Sequence, residues 1–230
     1  MYNKNISVSK VLGLLFTMYS CFVVNTALYA GTVKPAVVNT KIEGSTVSVE
    51  STINALRSVI TSTISYRCLN ETTEKLGNKT LHRIIALYYY PPGVLEINVI
   101  TGENSGTHVV FKDHKLTIDN KNILGPFKVK LDSGNPITKS LRGKGIAQVG
   151  WVYHLSNVEK YLIEKKVFYA SYDVFEGSTS IKLLIKVDDK THYVLYLQPS
   201  TYYIIGYRLI ENGEVVEEGK YRDIQVNIKR

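Results

Sequence analysis

Residues His82–Asp119, HRIIALYYYPPGVLEINVITGENSGTHVVFKDHKLTID, decide the fold. They read as three or four consecutive antiparallel strands with the turns spelled out between them. Ile84 to Tyr90 is β-branched and aromatic and stops at Pro91-Pro92-Gly93, where proline removes backbone donors and fixes φ. From Val94 to Thr101 the side chains alternate, with Leu95, Ile97 and Val99 on one side and Glu96 and Asn98 on the other, the period of two of a half-buried strand. Gly102 to Gly106 is turn-forming. Thr107–Lys112 and Lys115–Asp119 then flank a tight bend at Lys112-Asp113-His114.

Upstream, residues 1–30 have the pattern of a secretory signal. Lys4 and Lys10 precede an apolar run from Val11 to Val24, and Ala27-Leu28-Tyr29-Ala30 ends in a small residue suited to cleavage. The run is shorter than the roughly 20 residues of a spanning helix, so cleavage near Ala30 is expected in preference to an uncleaved anchor. Cys21 raises lipidation as a third option, although Met18-Tyr19-Ser20 makes a poor lipoprotein box before it. The expected location is therefore periplasmic or secreted. Cleavage would remove two lysines and no acids, leaving a net charge of +6, two below the +8 of the whole chain, and Cys68 without a disulfide partner. The basic residues are scattered through strands and turns rather than clustered. That pattern fits a solvated surface with some attraction for anionic envelope components, and no nucleic-acid partner is expected.

Residues 31–44 contain Pro35 and no sustained periodicity, and are expected to be an extended lead-in to one domain spanning residues 45–230. From Ser45 to Ile64 the residues Val49, Ile53, Leu56, Ile60 and Ile64 fall on one helical stripe, with Ser45 or Thr46 as the cap. Tyr66 and Cys68 begin an alternating stretch, and the polar run from Asn70 to Lys75 leads to a hairpin turn at Gly77-Asn78. Phe127–Leu131 alternates as a further strand. Ile146–Lys166 reads as a second helix, interrupted near Ser156-Asn157, with Trp151, Leu155, Val158 and Leu162 on one face. Strands are then expected over Lys166–Phe175, Ser180–Val187, Tyr193–Leu197, Tyr202–Glu211 and Glu214–Ile228, the last two joined by Asn212-Gly213, a strong short hairpin signal. The order helix, sheet, helix, sheet predicts an α+β domain, one large curved antiparallel sheet with helices covering its concave face.

Signals for catalysis are weak. The five histidines have no metal-ligand spacing, Gly143-Lys-Gly145 is half a phosphate loop without its completion, and Asp188-Asp189 sits where a turn is required. Neither enzymatic activity nor a cofactor is expected.

The segments Tyr88-Tyr-Tyr-Pro-Pro-Gly-Val-Leu-Glu-Ile97, Val109-Val-Phe-Lys-Asp-His-Lys-Leu-Thr-Ile118 and Tyr221-Arg-Asp-Ile-Gln-Val-Asn227 resemble the LolA-like superfamily of periplasmic lipoprotein carriers, and the order of elements matches over residues 45 to 228. The resemblance implies an incomplete β-barrel whose helices form a lid over an apolar cavity for acyl chains. It departs from the carrier at Tyr90, where that family has an arginine, and at His114, where the hairpin glycine falls. On this reading Leu95, Ile97, Val99, Phe111, Ile181, Leu183, Ile185, Leu195 and Leu197 line the inward face, and Tyr88, Tyr90, Tyr202 and Tyr203 stand at its mouth. The same inward residues could instead pack against the helices as ordinary core. The expected ligand is a lipid or lipoprotein acyl chain, bound by a monomer that also meets an envelope membrane protein. The alternative is an envelope sensor or interaction module with no transport cycle. A dry cavity of several hundred Å³ would favour the carrier and a filled core the interaction module.

Overall fold

The structure, a computed structural model, describes residues 47–90, 93–133, 135 and 139–228. The expected signal segment with Cys21, the lead-in over residues 31–44 and the caps proposed at Ser45 and Thr46 lie outside the described residues.

Helix α1, Val49–Ser62, buries Val49, Ile53, Leu56 and Ile60, the stripe read from the sequence. Its N-cap is Ser48, whose hydroxyl accepts from the Ser51 backbone N–H at 3.2 Å, satisfying one of the donors a helix start leaves free. The helix stops before Ile64. That side chain, expected on the buried stripe, is 68% exposed.

Eleven strands follow in one sheet: β1 Tyr66–Leu76, β2 Lys79–Tyr90, β3 Val94–Thr101, β4 His108–Lys112, β5 Lys115–Asp119, β6 Lys128–Asp132, β7 Val167–Phe175, β8 Ser178–Lys186, β9 Thr191–Leu197, β10 Ile204–Glu211 and β11 Glu214–Val226. A single turn, α2 (Lys121–Leu124), precedes β6, and a 3₁₀ turn at Ile146–Gln148 precedes α3 (Trp151–Ile163). Each strand pair is antiparallel, in the order β6-β5-β4-β3-β2-β1-β11-β10-β9-β8-β7. The 82–119 block thus supplies β2 to β5 as consecutive neighbours. The sheet is two meanders joined through β1 and β11, and it does not close: β6 and β7 are its two edges. This is the expected incomplete barrel.

The topology has one demanding step. The chain must pass from the β6 edge to the β7 edge, and it does so over the concave face: Trp151 meets Tyr66 of β1, and Lys144 reaches Glu217 of β11. Strands β1 and β11 are the middle of the sheet, so α3 lies across the centre of the bowl, beside α1. The main apolar core is the layer between these helices and the concave face. A smaller cluster of Phe175, Val194 and Tyr196 sits on the convex side, with the Arg208 guanidinium over the Phe175 and Tyr196 rings.

The polar run Asn70–Lys75 leads to the hairpin turn at Gly77-Asn78 as strand, the second half of β1, paired residue by residue with β2. One local reading is corrected: α3 is uninterrupted, and the Ser156 hydroxyl donates to the Val152 carbonyl at 2.9 Å within the helix, the usual outlet for a helical serine, and caps nothing. The break lies upstream at Gly150. Its φ of +87° and a hypothetical Cβ only 2.4 Å from the Tyr66 hydroxyl both require glycine there. Tyr66 in turn accepts the first α3 backbone N–H, that of Trp151, at 3.0 Å.

Candidate functional site

Strand β1 sets the character of the concave face. Its inward side chains run Tyr66, Cys68, Asn70, Thr72, Glu74, from aromatic at one end to acidic at the other. The bowl is accordingly divided into an apolar end, an aromatic waist and a polar end.

At the apolar end Ile60 from α1, Ile64 just past its C-terminus, Val152 and Leu155 from α3, and Tyr89 from β2 line an open groove. Val152, like Ile64, is exposed there. The waist is a run of stacked rings, Tyr89 on Tyr66 (5.4 Å), Tyr66 on Trp151 (4.5 Å) and Trp151 on Tyr203 (5.2 Å). The Trp151 indole N–H donates to the Ile204 carbonyl at 3.1 Å, so this large ring is fixed at its polar edge as well as by its area. Cys68 lies next to the waist and is buried, which pushes its thiol up to about 12 and leaves it unreactive.

Beyond the waist is a cavity of about 90 Å³. Ile85, Ile97, Val99 and Val109 from β2, β3 and β4 form one wall, and the opposite wall is polar. On that side the Lys144 ammonium lies 2.6 and 2.5 Å from the two oxygens of Glu217, which is fully buried and also accepts from the Tyr207 hydroxyl at 2.8 Å. Arg83 stands 3.6 Å from Glu74, whose other oxygen accepts from the Arg142 backbone N–H at 3.2 Å. His154 of α3 lies between the hydroxyls of Tyr193 and Tyr221, the latter at 2.7 Å from Nε2. Burial, and secondarily the Lys144 charge, push its imidazole down to about 3, so it is neutral. Burial, and next the Glu217 charge, hold the Tyr207 phenol well above the usual range. Each buried charge here has an opposite partner, the condition under which such charges are tolerated.

Seven of the nine inward residues, Leu95, Ile97, Ile181, Leu183, Ile185, Leu195 and Leu197, are buried in the main core, and Val99 and Phe111 pack against it partly exposed. Of the nine, Ile97 and Val99 reach the cavity; the β8 and β9 residues pack as core. Tyr202 and Tyr203 are half-buried against the same core. Tyr88 and Tyr90 are placed differently. Ile85, Leu87 and Tyr89 alternate inward along β2, so the residues between them face the convex side, where Tyr88 pairs with Glu96 and Arg67. The tyrosine at the groove is Tyr89. Asn70, Glu74, Lys144, His154 and Glu217 are not among the residues that the sequence places at the site, although Lys144 belongs to the incomplete phosphate loop and His154 to the five histidines without metal-ligand spacing. The available signal was the parity of Tyr66 and Cys68, which, carried through the polar run, points Asn70, Thr72 and Glu74 inward.

Among the described residues no group of three or more His, Cys, Asp or Glu is placed to hold a metal ion, and no helix is long and apolar enough to cross a membrane. No protein-family model matches the chain, and neither does any curated protein. In fold the chain is similar to several solved structures. An uncharacterized conserved protein from Thermus thermophilus aligns over 79% of this chain and 88% of its own length at 7% identity, with a TM-score of 0.49. The Mycobacterium tuberculosis lipoprotein LppX aligns over 80% and 98% at 11% identity, with a TM-score of 0.45. A LolA superfamily protein from Nitrosomonas europaea aligns over 80% and 96% at 7% identity, with a TM-score of 0.34. These likenesses are of fold.

Proposed function

We propose that this protein is an envelope binding protein for the acyl chains of a lipid or lipoprotein, which it takes onto the concave face of its open sheet beneath α1 and α3. The observation that carries the reading is the open groove at the α1–α3 end, where Ile64 and Val152 are exposed beside Tyr89 and Leu155 at the lip of the apolar end of the bowl. The cavity beyond the waist, about 90 Å³, is far below the volume of a ligand pocket for a long chain, so such a chain enters only as the helices move off the sheet.

That same small volume supports the second reading, a sensor or interaction module whose bowl is filled by its own side chains and which has no transport cycle. Native mass spectrometry of the protein purified from the bacterial envelope without detergent separates the two. A co-purifying species of lipid mass, released on unfolding, is expected. A bare protein mass would leave the interaction module.

A further inference from the structure

Two buried oxygens at the polar end of the bowl accept no hydrogen bond, Glu217 Oε2, which the Lys144 ammonium faces at 2.5 Å, and the side-chain oxygen of Asn70, which no charge faces. Asn70 is 1% exposed, lies between Ile85 of β2 and Tyr221 of β11, lines the cavity, and its side-chain carbonyl oxygen has no hydrogen-bond partner. A buried acceptor without a donor is costly, and the space it faces is open. The two cations of the same cavity are already matched: Lys144 by Glu217 and Arg83 by Glu74. An anionic head such as a phosphate or a carboxylate would therefore bring a charge into a site where both lining cations among the described residues are already paired. What is missing is an uncharged donor, an O–H, on a group small enough for about 90 Å³ and bordered on one side by Ile85, Ile97, Val99 and Val109.

We infer that this cavity is a subsite for a small hydroxylated group of the size of glycerol, with one hydroxyl donating to the Asn70 side-chain carbonyl and the carbon skeleton against the aliphatic wall. This rests on the acyl-chain reading only for its source. The group is either the hydroxylated head of an acylated lipid or a free polyol, and the chemistry at Asn70 is the same.

Binding of glycerol, 1-monooleoylglycerol and methyl oleate, the last lacking the hydroxyls, is measured by titration on the full chain and on Asn70→Leu. The wild-type protein is expected to bind monooleoylglycerol about tenfold more tightly than methyl oleate, the contribution of one buried hydrogen bond. Asn70→Leu is expected to lose that preference while keeping its affinity for methyl oleate. Equal affinity of the wild-type protein for the two lipids overturns the subsite and leaves acyl binding standing; this comparison needs no variant, so misfolding of Asn70→Leu does not remove the test. Binding of glycerol alone, weakened by Asn70→Leu, keeps the subsite and rejects the acyl reading. Binding of none of the three overturns both, with ordered water as the occupant of the cavity.

Discussion

Arg57 of α1 and Glu159 of α3 form a two-pronged ion pair across the helices that cover the bowl, Nε donating to Oε1 at 2.5 Å and the second terminal nitrogen to Oε2 at 2.9 Å. The Arg57 guanidinium is pushed above its ordinary range, first by the hydrogen bond to Glu159. Both side chains are 39% exposed, so solvent screens the attraction, and a contribution below about 1 kcal/mol is expected despite the bidentate form. Its position matters more than its strength, because it ties together the two elements that, on the proposed acyl-chain reading, part to admit a chain. Arg57→Ala is expected to lower stability by less than about 1 kcal/mol while speeding hydrogen exchange in α1 and α3 well above that in β1 and β11. Equal protection of the helices in both proteins would show that the pair restrains nothing.

His154 makes the fold sensitive to acid. Its imidazole is pushed down to about 3, mainly by burial, while in the unfolded chain it titrates near the ordinary 6.5. The groups facing it are Tyr193, Tyr207 and Tyr221 from the sheet and Lys144 from the crossover, none of which offers a negative charge to an imidazolium. Between those two values the unfolded chain binds the extra proton, so stability rises with pH; the contribution is complete above 6.5 and is lost as pH falls toward 3. From pH 7 to pH 5 the expected loss is about 2 kcal/mol. Urea unfolding at the two values measures it, and His154→Gln should flatten the dependence. A variant as acid-labile as the parent would place the effect elsewhere.

The β4–β5 hairpin turns through Asp113 and His114, both in the left-handed region at φ +49° and +60°. Such turns match the twist of the strands but burden a residue that has a Cβ. His114→Gly is expected to raise stability by about 1 kcal/mol, since glycine takes this conformation without strain. The check is a higher urea midpoint with an unchanged slope; a lower midpoint would mean that the edge contact of the His114 and Phe111 rings outweighs the backbone strain.

The fold was legible where one face of a strand is apolar. Leu95, Ile97 and Val99, or Ile181, Leu183 and Ile185, announce their own parity, and Asn212-Gly213 announces its turn with φ of +52° and +83°. The site was not legible, because its residues look like surface. Asn70, Thr72 and Glu74 sit in a run of polar residues whose alternation is hidden by equally polar neighbours, and Lys144 and Glu217 neutralise each other across 73 positions of sequence. A period of two distinguishes inside from outside only when the inside is apolar, and here the inside becomes polar partway along β1. The start of α3 was missed for a related reason. Gly150 is dictated by the Tyr66 hydroxyl, which also accepts the Trp151 N–H from 85 residues away in the chain.

Gly219 illustrates the same dependence and gives the most specific prediction. It sits opposite Tyr207 in the β10–β11 pair, and a Cβ on it would fall 2.0 Å from Tyr207 Cε1 and 2.6 Å from Cζ. The ring lies flat over the glycine because nothing stands in the way, and this brings its hydroxyl to Glu217 and its face to within 4.5 Å of the His154 ring. Gly219→Ala must therefore displace Tyr207, and with it one of the partners of the buried Glu217 carboxylate. Overpacking and the lost hydrogen bond together suggest a cost of about 2–4 kcal/mol. Ordinary strand propensity predicts the opposite sign, since alanine is favoured over glycine in a strand interior. A double-mutant cycle separates the two. In a Tyr207→Leu background the ring is gone, and Gly219→Ala should cost far less than in the parent, with a coupling of at least about 1 kcal/mol. Additive effects would show that the alanine acts on the β11 backbone and not through Tyr207, and would detach this glycine from the polar cavity altogether.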